Sequence, residues 1–378
     1  MLTVNAGSSS LRLSFYRVQS KILCRARARL KPVASDPAVL TDFLRQNSLP
    51  QPAAVMHRVV HGGSRLKVPS YIDAVVEAEI ERLVAIAPLH NRIALDWIHA
   101  ARQAFGDAIP QGAAFDTGFF AGMPPVAAEY ALPQELCEHY EIHRYGFHGL
   151  AHQSMLDQWC QHSGGGAGGR VISLQLGAGC SIAAIESGQP VDTSMGFSPL
   201  EGLMMATRSG DVDPDMVLYL IDEAGFSGAE VKVLLNEHSG LLGVSGESAD
   251  LGELLTSHSA EAALAIAMFC YRIRKYVGGY LAVLGGADAI LFGGGIGEHS
   301  WEVRASVLEG FAWAGIHIDP KLNRTIDPSK GGPIHQGSSR TAIWVLPVTE
   351  ERVLADAARR LFLPDGRAAF SPGGGEHA

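Results

Sequence analysis

Two segments of the chain share one pattern of apolar and polar positions. Residues 2–18 and residues 171–188 each contain a β-rich run, a turn of small residues and a second β-rich run. Small residues between two strand-forming runs are typical of a tight hairpin. The segments lie roughly half the chain apart, so the pattern indicates two related α/β halves, each opening with a strand–turn–strand unit. Because such hairpins are common, coincidence is the alternative on pattern alone.

The remaining elements are predicted from periodicity. Apolar positions three and four residues apart predict helices over residues 73–87 and 260–284. Residues 289–292 and 341–346 read as strands, and a last helix follows the second of them. The tail, residues 364–378, is rich in Pro, Gly and Ala and is predicted to be disordered.

Length and composition exclude several classes of protein. A chain of 378 residues favours two domains, and its formal charge of −9 argues against broad nucleic-acid binding. The five cysteines are scattered without a CxxC pair, which argues against a zinc site and favours reduced thiols. The N-terminus does not have the basic region and long apolar stretch of a signal peptide. The sequence also contains no run of about 18 apolar residues, the length needed to span a bilayer. We therefore expect a soluble, cytoplasmic protein.

Three glycine-rich turns follow or join predicted strands, near Gly7, Gly177 and Gly294. Such turns bring backbone N–H groups close to phosphate oxygens. None of them matches the GxxxxGK[ST] pattern, so the chain is not a P-loop protein. One such turn is weak evidence, but three in a strand–turn frame resemble the phosphate and adenosine loops of the actin/hexokinase/acetate kinase fold.

Longer strings make this resemblance specific to acetate kinases. In family order they are NAGSSS (5–10), HRVVHGG (57–63), APLHN (87–91), FDT (115–117), YGFHG (145–149), DTSMGFSPLEGLMMATR (192–208), GIGE (295–298) and PVTEE (347–351). The matches run from residue 2 to about residue 355, nearly the whole chain. On these strings the chain is identified as a member of the acetate kinase family.

The resemblance implies a fold and an activity. The expected fold is α/β, with two duplicated actin-like (ribonuclease H-like) ATPase domains and an active site in the interdomain cleft. The first domain would comprise residues 1–117 and 353–378, and the second residues 118–352. The expected reaction is reversible phosphoryl transfer from ATP to acetate with Mg²⁺ or Mn²⁺, giving acetyl phosphate and ADP. Family members also lead us to expect a homodimer formed through the second domain.

The chemistry of this reaction explains which side chains the site requires. Acetate is already an anion at pH 7, so its oxygen can attack phosphorus without a general base. The site must instead neutralise charge on the transferring phosphoryl group. By resemblance, Arg58 and Arg208 flank the carboxylate and phosphoryl oxygens, and His148 donates a hydrogen bond to the phosphoryl group. Asp116 orients an arginine or a metal-bound water.

The resemblance also assigns binding residues. Acetate would contact Asn5, Arg58, Val60, Leu89, Phe147 and Pro199, and the metal would be held by Asn5 and Glu350. The nucleotide would contact Ser10, Arg12, Gln175, Gly177, Gly179, Asp250, Gly294, Gly295 and Ile296. The apolar pocket favours acetate and leaves propionate possible, because one methylene changes binding by only about 1–3 kcal/mol.

Several positions depart from the family pattern close to the expected phosphates. The departures are Arg12 for lysine, Gln175 and Ala178 in the string usually reading HLGNG, Gly252 for arginine, Phe120 for histidine and Arg92 for proline. They motivate two alternatives to an acetate kinase. One is a kinase of the same fold that uses another short acid or another phosphoryl donor, such as pyrophosphate. The other is a non-catalytic sensor of acetyl phosphate or nucleotide.

Overall fold

A computed structural model describes residues 1–7, 10–18, 21–31 and 34–363, without the side chains of Pro88 and Leu89. The tail predicted to be disordered, residues 364–378, lies outside these residues. The strands are β1 (Leu2–Ala6), β2 (Leu11–Val18), β3 (Ile22–Leu30), β4 (Val55–Val59), β5 (Ser70–Tyr71), β6 (Gln111–Phe115), β7 (Arg170–Leu176), β8 (Cys180–Glu186), β9 (Gln189–Thr193), β10 (Ala289–Gly293), β11 (Gly332–Pro333) and β12 (Ala342–Val345).

The α-helices vary in length from four to 25 residues. They are α1 (Pro37–Gln46), α2 (Ala74–Arg82), α3 (Pro88–Phe105), α4 (Pro125–Ala128), α5 (Gln134–Tyr140), α6 (Gly149–His162), α7 (Pro214–Asp222), α8 (Gly228–Glu237), α9 (Gly240–Ser245), α10 (Leu251–Thr256), α11 (Ala260–Leu284), α12 (Gly294–His299), α13 (Trp301–Leu308), α14 (Pro320–Thr325) and α15 (Glu350–Phe362).

The chain divides into two compact units, each built on one sheet. The first unit combines Met1–Ala121 with Thr349–Ala378, and the second is Gly122–Val348. The first sheet has the strand order β3-β2-β1-β4-β6-β5, and the second has the order β9-β8-β7-β10-β12-β11.

The two sheets repeat one plan. In each, the first three strands form an antiparallel meander, and its first strand pairs in parallel with the fourth (β1 with β4, β7 with β10). The fourth strand pairs in parallel with the last, which pairs antiparallel with a two-residue edge strand. This identity of order and direction confirms the predicted duplication. Both predicted hairpins are present, as β1–β2 and β7–β8.

The first unit buries apolar side chains on both faces of its sheet. Leu11, Leu13 and Phe15 of β2 pack with α1 and α3 in one core. Tyr16 points to the other face, where it packs with Ala355 of α15. Alternation along β2 therefore places odd-numbered positions in one layer and even-numbered positions in the other.

The predicted helices are observed with two differences. Helix α11 has the predicted bounds, with the Ser259 hydroxyl capping its start and Gly285 in the left-handed conformation at its end. The segment 73–87 is shorter, since α2 stops at Arg82 and a 3₁₀ turn follows. The glycine-rich segment after β10 is not a plain turn, because Gly294 begins the short helix α12. Within the described residues, no helix is long and apolar enough to cross a membrane.

Two buried histidines mark the cores of the units. His57 on β4 is almost fully buried with its Nε2 atom 2.7 Å from Gln111 Oε1, and burial lowers its pKa to about 4. Burial also lowers the pKa of His152 on α6, to about 3. Both rings are therefore neutral in the folded protein at pH 7.

We predict that the urea midpoint falls as the pH drops from about 6.5 towards 4. The folded-state pKa of His57 lies below its ordinary value of 6.5, so the unfolded chain binds more protons throughout that window. The variant His57→Gln should lose stability less steeply over the same window, as measured by urea unfolding at several pH values. The control His258→Gln removes an exposed histidine and should keep the wild-type slope. Identical slopes for both variants would contradict the prediction.

Candidate functional site

A cluster of charged and amide side chains lies at the carboxyl edge of the first sheet. Parallel pairing of β1, β4 and β6 brings the ends of these strands to one edge, where ligands bind in open α/β sheets. The N-terminus of α15 lies there too. We call the group the first-unit cluster, and it consists of Asn5, Arg12, Arg58, Asp116, Glu350 and Glu351.

Arg58 and Asp116 form a buried bidentate ion pair within this cluster. Arg58 Nε and Nη2 donate to the two carboxylate oxygens of Asp116 at 3.0 and 2.6 Å. The Asp116 side chain is fully buried, and that of Arg58 is 13% exposed. Burial opposes the charge of Arg58, but the charges of Asp116 and Glu350 raise its pKa above the usual value. Asp116 thus binds an arginine in this structure, and its expected role in the reaction stays a prediction.

The carboxylates of Glu350 and Glu351 face Asn5 and Arg12. Asn5 Nδ2 donates to Glu350 Oε2 at 2.7 Å and to Glu351 Oε1 at 3.0 Å, while its Oδ1 accepts from Arg58. Arg12 stands opposite Asn5 in the β1–β2 register and lies 3.4 and 3.6 Å from the same two carboxylates. Burial would raise the pKa of Glu350, but Arg58, Arg12 and Asn5 together lower it, so this carboxylate is ionised.

The donor set of this cluster suits a hard divalent cation. Glu350 and Glu351 offer two neighbouring carboxylates, and magnesium is commonly held by one or two carboxylates with water and substrate phosphates. The described residues contain no group of three or more His, Cys, Asp or Glu side chains able to bind a metal. Asn5 Oδ1, the atom of Asn5 that could ligate a metal, already accepts a hydrogen bond from Arg58.

The second unit brings His148 and Arg208 together. His148 precedes α6 with φ of +58°, a left-handed conformation that is uncommon for a residue other than glycine. A Cβ atom added at Gly179 would lie 3.2 Å from His148 Nε2 and 3.6 Å from Arg208 Nη1. Gly179 therefore lies against both side chains, and a residue larger than glycine would crowd the His148 ring. We call His148, Gly179 and Arg208 the second-unit cluster.

Arg208 is a cation without an acidic partner. Its Nη1 donates to the Pro199 carbonyl at 3.1 Å, and it forms no ion pair with any carboxylate in the described part of the chain. Burial lowers its pKa below the usual value. The buried Arg304 differs, because its guanidinium donates four hydrogen bonds to Asn323, Gly297 and Glu298. Arg208 thus retains unused donors and an uncompensated charge, as an anion-binding arginine requires.

The glycine turns do not offer every amide that the sequence suggested. The Gly7 amide donates to the Ser10 carbonyl, and the Gly177 amide donates to the Gly179 carbonyl. The Gly294 amide donates to Glu298 Oε1 at 3.0 Å. In this conformation, the leading N–H group of each turn is therefore occupied within its own turn or helix.

Gln175 and Gly294 lie against each other. Gln175 pairs with Gly293 in the β7–β10 register, and a Cβ atom at Gly294 would lie 2.7 Å from Gln175 Nε2. Gly294 also has φ of +77°, so a side chain is excluded there for two reasons. Gln175 Oε1 is buried and has no hydrogen-bond partner in the described residues.

The other expected contact residues occupy varied positions. Val60 and Phe147 are buried, Pro199 is half-buried, and the side chain of Leu89 lies outside the described residues. Asp250 is exposed and caps α10 by accepting from the amides of Gly252 and Glu253. Gly295 and Ile296 lie in the first turn of α12.

Sequence reasoning missed an ion-pair network that joins two of the motifs. Arg144 Nη2 donates to Glu201 Oε1 at 2.6 Å, and the Tyr130 hydroxyl donates to Glu201 Oε2. Any side chain at Gly196 would collide with Glu201 and Tyr130. The network ties the segment leading to His148 to the loop leading to Arg208. The residues next to Glu201 in the sequence do not indicate this role. Glu351 was also missed, although it directly follows Glu350, which was predicted to hold the metal.

Comparison with known proteins gives concordant matches. A sequence profile of the acetokinase family matches residues 37–356. Acetate kinase of Chloroherpeton thalassium is 45% identical over 307 residues, covering 80% of this chain and 74% of that protein. The crystal structure of Porphyromonas gingivalis acetate kinase superposes with a TM-score of 0.83 at 34% identity, covering 94% of this chain and 97% of that one. A propionate kinase from Francisella tularensis superposes with a TM-score of 0.85 at 33% identity, covering 95% and 99%.

We predict that Asp116→Asn destabilises the protein by about 3 kcal/mol, because it removes the charge of the carboxylate that pairs with the buried guanidinium of Arg58. Urea unfolding followed by circular dichroism would measure the change. The control is Asp288→Asn, whose aspartate pairs with Arg170 on the surface. Exposed pairs contribute little, so this control should leave the urea midpoint nearly unchanged. Equal effects of the two substitutions would show that the Arg58–Asp116 pair stabilises the protein no more than an exposed pair does.

Proposed function

This chain belongs to the acetokinase family and transfers a phosphoryl group between ATP and acetate, and we propose that the first-unit and second-unit clusters carry this reaction. The observation that carries the proposal is the uncompensated guanidinium of Arg208 beside His148. Both side chains lie next to Gly179, so an anion bound at this cluster would meet one cation and one ring nitrogen.

The reaction needs charge neutralisation more than proton transfer. A carboxylate oxygen of acetate attacks the γ-phosphorus, the bond from that phosphorus to the bridging oxygen of ADP breaks, and acetyl phosphate and ADP result. Negative charge is shared among the three equatorial oxygens of the phosphoryl group during transfer. Donors that are already in place stabilise this charge without reorganising.

In our proposal, Arg208 and His148 act on the transferring group. Arg208 contributes the unused N–H groups of its guanidinium, and His148 contributes its Nε2 atom, which lies beside the same glycine as Arg208 Nη1. His148 is held by Ser181 through Nδ1, at 3.0 Å, so its ring orientation does not depend on the ligand. Preorganisation of this kind lowers the barrier, because no ordering remains to be done in the transition state.

Arg58 is proposed to contact the carboxylate of acetate or the phosphoryl oxygens. Its Nε and one proton of Nη2 are used by Asp116, and Asn5 accepts from Nη1. One further hydrogen on each of Nη1 and Nη2 is left for a ligand. Asp116 is a positioning residue in this scheme, since it touches Arg58 and not the reacting atoms.

The metal is proposed to be Mg²⁺, with Mn²⁺ as a substitute, held by Glu350 with Glu351 beside it. When bound, the ion neutralises phosphate charge and orients the phosphate chain. The Asn5 side chain holds the two carboxylates through Nδ2, while one lone pair of its Oδ1 is used by Arg58. We therefore assign Asn5 to orienting the carboxylates ahead of ligating the metal.

The phosphoryl donor is proposed to be ATP, contacted by Ser10, Arg12 and the glycine segments of the second unit. Gly177, Gly179, Gly294, Gly295 and Ile296 would line the phosphates and adenosine, with Asp250 bounding the nucleoside. Gln175 supports contact with the donor, because its Oε1 is buried without a partner and its Nε2 lies against Gly294. A neutral amide can donate or accept here, but it cannot provide a positive charge.

Acetate is proposed as the preferred acid, with propionate as a slower substrate. Val60, Leu89, Phe147 and Pro199 would surround the methyl group. Apolar walls discriminate weakly between a methyl and an ethyl group, because one methylene contributes only about 1–3 kcal/mol.

We further propose a cytoplasmic homodimer. Helix α7 has no buried residue, and it exposes Met216, Leu218, Tyr219 and Ile221. A cluster of exposed apolar side chains on one helix is typical of a surface covered by a partner. The five cysteines are all free thiols, which supports a reducing compartment.

We predict that the purified protein forms acetyl phosphate from ATP, acetate and Mg²⁺, detected with hydroxylamine as acetyl hydroxamate. Arg208→Ala should lower kcat at least a hundredfold, since it removes the uncompensated cation from the transition state. Arg45→Ala, which removes an exposed arginine of α1, should retain wild-type activity and serves as the matched control.

The same assay separates the alternatives. Product formed with pyrophosphate in place of ATP, or only with propionate, would identify a kinase with another donor or acid. Nucleotide binding without product from any donor and acid, at saturating Mg²⁺, would identify a sensor and refute the kinase proposal. In that case Gln175→His and Ala178→Asn, which restore the family pattern, would be the first substitutions to make.

We also predict that Leu218→Glu combined with Tyr219→Glu converts the dimer into a monomer. These side chains are 54% and 60% exposed, and two carboxylates would charge a surface that must be desolvated in the dimer. Sedimentation velocity would measure the mass. Val126→Glu changes an isolated valine, 93% exposed on α4, and should leave the dimer intact. A wild-type monomer would refute the proposed dimer.

A further inference from the structure

A chain of four polar side chains leads from His148 into the core of the second unit. His148 Nδ1 lies 3.0 Å from the Ser181 hydroxyl, and the same hydroxyl lies 2.8 Å from His152 Nε2. His152 Nδ1 lies 2.9 Å from the Ser173 hydroxyl. We call these four side chains the histidine–serine chain.

Secondary structure places these residues in line. His148 directly precedes α6 and His152 lies in its first turn, and both rings contact the Ser181 hydroxyl. Ser173 belongs to β7 and Ser181 to β8, two paired strands of the second sheet. Helix α6 packs on β7, which brings the two hydroxyls against the two rings.

The three interior members are fully buried. His152, Ser173 and Ser181 each have no exposed surface. A buried polar group without a partner is costly, and here each hydroxyl and each ring nitrogen of His152 has a partner within 3.0 Å. Apolar side chains could fill the same part of the core, so the presence of a fully hydrogen-bonded polar chain there indicates a functional role.

Proton counting restricts how the chain can be arranged. Burial lowers the pKa of His152 to about 3, so its ring is neutral and carries one N–H. A neutral imidazole donates through one nitrogen and accepts through the other, and each serine hydroxyl has a single proton to donate. A serine oxygen can accept two hydrogen bonds, but within the described residues the buried Ser181 hydroxyl has no partner other than the two rings. Its proton is therefore used only if Ser181 donates to one ring and accepts from the other, so all three hydrogen bonds run in the same direction, either towards His148 or away from it.

The two directions give His148 opposite properties. If the bonds run towards it, Ser173 donates to His152 Nδ1, His152 Nε2 donates to Ser181, and Ser181 donates to His148 Nδ1. A neutral His148 then carries its proton on Nε2. If they run away from it, His148 Nδ1 carries a proton, and a neutral ring presents a lone pair at Nε2.

The surroundings of His148 Nε2 distinguish these arrangements. This atom lies beside Gly179, as Arg208 Nη1 does, and we have proposed that these two side chains bind an anionic phosphoryl group. A lone pair there would repel phosphoryl oxygens, whereas an N–H group would bind one. If the bonds run towards His148, the Ser173 proton is donated to His152 Nδ1, so the Ser173 hydroxyl no longer donates to Met155 Sδ. That contact, at 3.9 Å, is a weak interaction.

We propose that Ser173, His152 and Ser181 are positioning residues that present His148 as a neutral Nε2–H donor to the phosphoryl oxygens of the substrate. The inference deepens the proposed kinase function and rests on it for the identity of the ligand. No covalent bond changes along the chain, and only the directions of the hydroxyl and imidazole hydrogens are set.

Nitrogen-15 NMR of the protein labelled at histidine tests the proposal without requiring turnover. Spectra at pH 7.5, with and without ATP and Mg²⁺, report which ring nitrogen of each histidine bears the proton. The signals of His148 among the 15 histidines are assigned by their disappearance in His148→Gln. We expect a proton on Nε2 and an unprotonated, hydrogen-bonded Nδ1. A proton on Nδ1, alone or together with Nε2, would overturn the proposal.

A kinetic test uses Ser181→Ala with Ser154→Ala as its matched control. Ser154 is a buried serine of α6 that interacts with Gln158 and does not belong to the chain. We expect Ser181→Ala to lower kcat about tenfold, the loss of roughly one hydrogen bond's contribution, with KM for ATP and acetate within about twofold of wild type. Unchanged kcat, or equal losses in both variants, would refute a positioning role.

The two tests separate this inference from the proposed function. If Ser181→Ala does not fold, the wild-type spectrum still decides the direction of the chain. A protein that makes no acetyl phosphate but shows the Nε2–H form would refute the kinase function while leaving the hydrogen-bond direction established. An active kinase with a proton on His148 Nδ1 would retain the function and remove this inference.

Discussion

Parallel strand pairing is the constraint on which the functional residues depend. Pairing of β1 with β4 and of β4 with β6 aligns the ends of three strands, so Asn5, Arg58 and Asp116 meet although 111 positions separate the first from the last. Pairing of β7 with β10 does the same for Gln175 and Gly294 in the second unit. Backbone hydrogen bonds therefore determine which side chains can meet, and side-chain chemistry determines what they do there.

The two clusters differ in whether their buried arginine has a carboxylate partner. Arg58 is neutralised by Asp116 and held in one orientation, while Arg208 has a carbonyl acceptor but no carboxylate. A partly buried cation without a counter-ion lowers the free energy of unfolding of the free protein. An anionic ligand supplies the missing counter-charge and raises that free energy when it binds. Such a residue is best explained by ligand binding, and in a phosphoryl-transfer enzyme the ligand is the group whose charge must be neutralised.

Polar groups beneath the clusters set their geometry. Glu201 links Tyr130 and Arg144, and thereby ties the loop before Arg208 to the segment before His148. The histidine–serine chain holds the other nitrogen of His148 from within the core. Asn5 likewise holds Glu350 and Glu351. Each group that we propose to face the ligand is thus held by a second side chain, which fixes its orientation in the free protein.

The sequence by itself determined the family, both hairpins, the duplicated halves and helix α11, because local periodicity, turn residues and long motifs are encoded by neighbouring positions. It also predicted catalytic roles for Arg58, Asp116, His148 and Arg208, and these stay predictions. Only the tertiary structure decided that Asp116 binds Arg58, that Asn5 engages two carboxylates and that the leading amides of the glycine turns are occupied. It alone joined His148 to Ser181 and Glu201 to Tyr130. Apart from the glycine-turn amides, these contacts join residues 33 to 346 positions apart, and partners at such separations are selected by sheet register and helix packing, which local sequence patterns do not specify.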